Sequence, residues 1–257
     1  AYLVDRDSLA EFSDVVLDVS SMPRGIYFPI LTSLLQHTEN MGRDAPNVFV
    51  HVCENAALDA AIREQYVDDD AYPVHGFGGH QLTDVSRLPA IWLPAIGSGK
   101  RIQLERAHEY VSPEEICPVL PAMSSNLRRA DDIIDEYHDL LFDSWQVAHE
   151  NIILAAERNP LENCRQLIRA GCSYADALRP LGGCRLIFSA FSSKMMSLGV
   201  LLAAYAFRYA LQVHNAYLVN IEAQGYSIPP NLVQNGIASA SEMHMIWLRG
   251  DCYADQQ

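Results

Sequence analysis

The sequence predicts an α/β fold: a doubly wound, mostly parallel sheet with helices on both faces, in a single domain over residues 1–257. Three observations predict it. Seven short runs rich in β-branched residues recur along the chain, and most are apolar without alternation, as strands buried on both faces are. Segments with helical period separate most of these runs, and strand–helix alternation favours parallel pairing through crossovers. The composition suits one large core, with 257 residues of which 49% are hydrophobic and 19% charged. Disorder, collagen and coiled-coil readings are excluded on the same grounds.

In chain order the expected strands are Asp14–Val19, Asn47–Val52, Ala90–Ala95, Ile116–Leu120, Asn151–Ala155, Cys184–Ser189 and His214–Ile221. An eighth run, Met243–Leu248, closes an edge. Helical period falls on Ile26–Leu35, Ile102–Val111, Asn126–Phe142, Leu161–Leu178 and Met195–Leu211. Two stretches interrupt the alternation. Val67–Leu88 holds Asp68–Asp70, Tyr72-Pro73 and Gly76-Phe77-Gly78-Gly79, the chemistry of a loop or hairpin insertion long enough for a lid or an edge. Gly225–Ser241 also reads as loop. No stretch has linker character, and no repeat has a solenoid period.

Lys+Arg 18 against Asp+Glu 32 leaves a formal charge of -14. Such a surface excludes non-specific binding to nucleic acid or anionic membranes, which rests on Lys and Arg neutralising phosphates. A small, locally held anion is not excluded. The cysteines Cys53, Cys117, Cys164, Cys172, Cys184 and Cys252 are scattered and show no C-x-x-C spacing, so reduced thiols are expected. The N-terminal AYLVDRDSLAEF lacks a basic region followed by an apolar one, and Leu198–Leu211 is interrupted by Arg208. A soluble, cytoplasmic protein is the expectation. The histidines have no ligand spacing, so neither metal nor cofactor is expected. His75 and His80 flank the glycine cluster, and His138 sits among Asp131, Asp132, Asp135, Glu136 and Asp139 on what reads as a solvated helix face.

Ligands of open α/β sheets bind outside the carboxyl ends of the strands. Three expected strand ends carry a Ser-Ser pair with a cation close behind: Ser20, Ser21 and Arg24; Ser124, Ser125, Arg128 and Arg129; and Ser192, Ser193 and Lys194. A fourth reads Gly97, Ser98, Gly99, Lys100, Arg101. Helix N-terminal amides attract negative charge, hydroxyls add donors, and Lys or Arg adds a full charge. Four such loops on one sheet edge predict a site for an anion or nucleotide. Ser is also a favoured N-cap, so any one pair alone reads equally as a helix start. The Gly97–Lys100 loop lacks P-loop spacing, and no G-x-S-x-G elbow occurs.

The fifth strand end, Glu157-Arg158-Asn159-Pro160, reads two ways. Glu157 and Asn159 contact a ribose or base, or move a proton, while Arg158 reaches phosphate; or Asn159-Pro160 simply opens the next helix. Asp18 orients Arg24 or serves as an acid on one reading, and makes an internal hydrogen bond on the other.

The segment CRLIFSAFSSKMMSLGVLLAAYAFR, a strand, a Ser-rich turn ending in Lys and a small-residue helix, resembles the late motif of CARF domains. These are Rossmann-like sensors of cyclic oligoadenylates in prokaryotic antiviral defence, whose turn often reads Thr-Gly-Gly-Thr-Lys. Ser192, Ser193 and Lys194 match its last polar residues and its lysine, while the glycines are absent. The resemblance implies a ligand-sensing or regulatory domain that binds a nucleotide or cyclic oligonucleotide and acts through a homo-oligomer or a partner protein. Two other readings stand beside it. One is an enzyme on a nucleotide or phosphoester, with Glu157 or Asp18 as acid–base and Val67–Leu88 as lid. The other is a subunit of a larger complex with no ligand of its own.

Overall fold

A strand, a helix and a second strand open the fold. β1 (Asp14–Asp18) and β2 (Asn47–Glu54) lie parallel, with Asp14 opposite Asn47 and Asp18 opposite His51, and α1 (Arg24–Met41) joins them. In this computed structural model residues 9–55, 61–78, 88–229 and 241–250 are described. The chain divides into two compact units: Ala1–Tyr66 with Glu222–Gln257, and Val67–Ile221.

In the first unit β12 (Glu242–Arg249) pairs antiparallel with β2, giving a three-stranded sheet in the order β1-β2-β12. Alternation places Val48, Val50 and Val52 in the core, while Phe49 on the opposite face stacks on Trp247 at 5.3 Å. α1 buries Tyr27, Phe28, Leu31, Leu34 and Leu35, a spacing that keeps one helical face apolar. A further pair, β3 (Arg63–Val67) with β11 (Ala223–Ser227), forms a two-stranded ribbon. Gly225–Ser227 is therefore strand, not loop. Its half-buried alternation, with Gly225 facing Gln65, carries a pairing that turn-like composition conceals. Residues 230–240 of that stretch, together with Gly79, His80 and Cys252, lie outside the described residues.

The second unit holds the larger sheet. Its order is β4 (Tyr72–Pro73), β10 (Ala216–Asn220), β9 (Arg185–Phe191), β5 (Ala90–Ile96), β7 (Val119–Ala122) and β8 (Ile153–Ala156), with β6 (Glu115–Ile116) also on β5. From β10 to β8 every pairing is parallel, and only β4 runs antiparallel. This is an α/β fold with a mostly parallel, Rossmann-like sheet. β5 and β9 are buried along their whole length, which is why their sequences do not alternate.

Helices cover both faces. Trp92, Ile96, Ile187 and Phe191 pack with Leu104 and Ala107 of α2 (Arg101–Val111) and with Ile133 of α3 (Arg129–Glu136). Residues of opposite parity face α4 (Pro160–Ala177), α5 (Lys194–Tyr205) and the turn after it: Phe188 stacks at 5.8 Å on Phe207, just beyond the end of α5. A Cβ on Gly171 of α4 would stand 2.6 Å from the Phe207 ring and 3.2 Å from Leu186. The missing side chain lets the helices close on one another.

Several expected elements differ. The runs at Asp14–Val19, Asn47–Val52 and Met243–Leu248 form their own sheet rather than joining the large one. Ile116–Leu120 splits into β6 and β7, because Pro118 has no amide to donate and ends the first pairing. Asn126–Phe142 shortens to α3, followed by a π-helical turn at Asp139–Ser144, and the helix after Ser193 likewise passes into a π-turn at Ala206–Ala210. Asn151 closes a 3-10 turn before β8 starts. Among the described residues no helix is long and apolar enough to cross a membrane.

Candidate functional site

The parallel strands of the large sheet run β10-β9-β5-β7-β8, so the chain starts at β5, builds outward through β7 and β8, then returns to the other side of β5 for β9 and β10. Strand order reverses between β5 and β9, and in such sheets the crevice at the carboxyl ends of the reversing strands is where ligands sit. Two loops flank that crevice here: Gly97–Lys100 after β5 and Ser192–Lys194 after β9. They touch, since the Gly97 amide donates to the Phe191 carbonyl at 2.9 Å. A Cβ on Gly97 would lie 2.9 Å from that oxygen and 3.1 Å from Ser192 Cα, so only glycine fits.

The Gly97–Lys100 loop is gripped by the end of α3. Gly99, at φ 72, donates its amide to Glu136 Oε1 at 2.7 Å. The Tyr137 hydroxyl donates to the Gly97 carbonyl at 3.0 Å and accepts the Lys100 amide at 2.7 Å. Burial of Tyr137 pushes its hydroxyl far above the usual tyrosine range, so it stays protonated and donating. Arg101 makes two bonds to Asp139, at 2.6 and 3.0 Å, and holds that carboxyl below its ordinary value. The amide that the sequence offers to an anion at this helix start is thus occupied by the chain's own Glu136. Ser98 is exposed and Lys100 half-buried.

The other loops are also built on side-chain caps. Ser193 Oγ accepts the Met196 amide at 3.3 Å and caps α5; Ser192 is buried with its hydroxyl on Met196 Sδ at 3.3 Å. Lys194, the first residue of α5, is half-buried at the crevice. After β7, Ser124 Oγ accepts the Asn126 amide at 3.2 Å, and Asn126 Oδ1 accepts the Arg128 amide at 3.0 Å. Ser125 and Arg128 are exposed. After β8, Asn159 Oδ1 accepts the Glu162 amide at 3.1 Å with Pro160 opening α4, so the helix-start reading describes its oxygen. Glu157 is buried with Oε1 3.1 Å from Arg129 Nε, and Arg158 is exposed.

No protein-family model and no curated protein matches the sequence.

Ser20, Ser21 and Arg24 follow β1, which pairs with β2 and not with the large sheet. The four hydroxyl-and-cation loops therefore do not share one sheet edge; three of them do, after the adjacent strands β9, β5 and β7. In the first unit Asp18 Oδ1 accepts the Ser20 amide at 2.9 Å and the Ser20 hydroxyl at 2.6 Å. The Ser20 hydroxyl accepts the Cys53 amide at 2.9 Å, and His51 Nδ1 lies 3.3 Å from Asp18 Oδ2. The Ser20 hydroxyl first, then its amide, holds the Asp18 carboxyl below its usual value. Asp18 thus makes the internal bond that ties β1 to its turn. The α1 start repeats the Glu136 theme, with the Gly25 amide donated to Glu222.

Glu136 and Tyr137 were not legible as site-shaping residues, because each acts on backbone groups 37 to 40 residues away that no local spacing marks. Arg129 carried a signal, standing beside Arg128, but nothing in the sequence shows which of the two reaches Glu157. Among the described residues no group of three or more His, Cys, Asp or Glu gathers as a metal site.

Proposed function

We propose that the second unit is a ligand-sensing or regulatory domain that binds a phosphate-bearing small molecule, a nucleotide or cyclic oligonucleotide. The site is the crevice between the Gly97–Lys100 and Ser192–Lys194 loops. One observation carries the reading: the strand order reverses between β5 and β9, and a lysine-bearing loop stands on each side of that point. Lys100 and Lys194 supply charge, Ser98 a hydroxyl, and the exposed Ser125, Arg128 and Arg158 extend the same strand ends toward a longer ligand. Because Glu136 and the cap residues already occupy helix-start amides, side-chain cations rather than a backbone nest would hold the phosphate. Glu157 sits buried against Arg129, which favours a role in holding the β7 and β8 ends together over proton transfer. The likeness of the Ser192–Lys194 segment to sensors of cyclic oligoadenylates makes that ligand, and a place in antiviral defence, the first to try.

Titration calorimetry with ATP and with a cyclic oligoadenylate tests the reading. Binding is expected without turnover. Each charge-assisted hydrogen bond is worth about 1.5–3 kcal/mol, so Lys194→Ala and Lys100→Ala each weaken binding by roughly 10- to 100-fold. Wild-type protein that binds neither ligand, or variants that bind as the wild type does, overturns it. Product formation abolished by Glu157→Gln favours the enzyme.

A further inference from the structure

β8 is the last strand of the large sheet, and the surface beside it is apolar. A groove of about 440 Å³ runs between β7, β8 and α3, with Met123, Leu127, Ile134, Ile152 and Leu154 on its walls. Leu127 is 91% exposed, Met123 77% and Leu154 55%, so three large side chains of one groove face solvent. The lining residues with a polar or ionisable side chain are Asp131 and His149. Beyond them the segment from α3 onward is acidic, with Asp131, Asp132, Asp135, Asp143 and Glu150 all exposed.

We infer that this groove docks an amphipathic helix of a partner protein, with an apolar stripe in the groove and Lys or Arg facing the acidic segment. The inference does not rest on the ligand reading above, although Leu127 stands between Ser125 and Arg128 of that reading. Charge chooses the partner: Asp131 lines the groove and the α3 segment beyond it is mostly acidic, with Arg128 the exposed cation beside Leu127, so an apolar stripe flanked mainly by cations is complementary. The same carboxylates repel anionic lipid headgroups. A small ligand is disfavoured because such molecules bury most of their surface, whereas the walls here stand open. An added strand is disfavoured because the outward amide of Ala156 is already donated to Gln166 Oε1 at 3.0 Å, which blunts the β8 edge.

The test uses the full chain and a synthetic helical peptide with leucines at i, i+3, i+4 and i+7 and lysines elsewhere, followed by calorimetry at two salt concentrations. Met123→Asp and Leu127→Asp are expected to weaken binding by about tenfold or more each, with unchanged melting temperature because both side chains are exposed. Asp131→Lys weakens it while Glu109→Lys, an equal charge change on exposed α2 surface, does not. Equal binding by all variants would mean attraction to net charge alone and overturns the proposal. So does a wild-type dimer in sedimentation that Leu127→Asp dissociates, because the groove would then belong to a second copy. Binding of a fatty acid in place of the peptide overturns it as well.

Discussion

Tyr137 shows how much one hydroxyl can organise. It serves the Gly97 carbonyl and the Lys100 amide together, from a ring buried in the core. Tyr137→Phe keeps the ring and strands both backbone groups, so it should cost about 1–3 kcal/mol in urea unfolding. It should also loosen the Gly97–Lys100 loop, seen as faster amide exchange at Lys100. Cys117 offers a second check at this scale. Burial pushes its thiol up to about 11, so almost no thiolate exists at pH 8. Cys117 should resist iodoacetamide in the folded protein and react on unfolding; rapid labelling of the native chain would mean the core beside β6 is open.

Among elements, the α4–α5 pair is the most demanding. Gly199 approaches Asn163 so closely that a Cβ would sit 2.6 Å from its Nδ2, and Asn163 in turn donates to the Met196 carbonyl at 3.1 Å. Gly199→Ala should therefore destabilise by about 1–3 kcal/mol despite its better helix propensity. At the start of α5, Ser193→Ala should cost about 1 kcal/mol as a lost cap. Ser193→Asp should restore stability and, by adding negative charge beside Lys194, weaken any phosphate ligand. Stability and affinity then move in opposite directions, which separates the capping role of this serine from ligand contact.

For the molecule as a whole, Val67–Ile221 is contiguous and holds its own core, whereas the other unit is assembled from both ends of the chain. The excised segment Val67–Ile221 should unfold cooperatively in denaturant, as a domain with its own core does. A chain ending at Ile221 should lose the β1-β2-β12 sheet, because β12 comes from the removed residues. Loss of cooperative unfolding in the excised segment would show that its core is not self-sufficient. A nucleotide present at about 100 times its Kd should stabilise the second unit by about 2.7 kcal/mol, read as a rise in melting temperature.

The sequence alone determined where most strands and helices lie. The run Ala90–Ala95 is apolar at every position, and that property belongs to the residues themselves. It also marked the lysines and serines that end up beside the crevice. Only the tertiary structure decided which strands share a sheet. The run at Asp14–Val19 reads like other β-branched runs, yet it pairs with Asn47–Glu54 and stays out of the large sheet. It also decided that Glu136, nearly forty residues from Gly99 along the chain, takes the amide an external anion would use. The physical reason is range. Burial and helical period are written in neighbouring residues, whereas pairing partners and the occupant of a helix start depend on groups brought together only when the chain has closed.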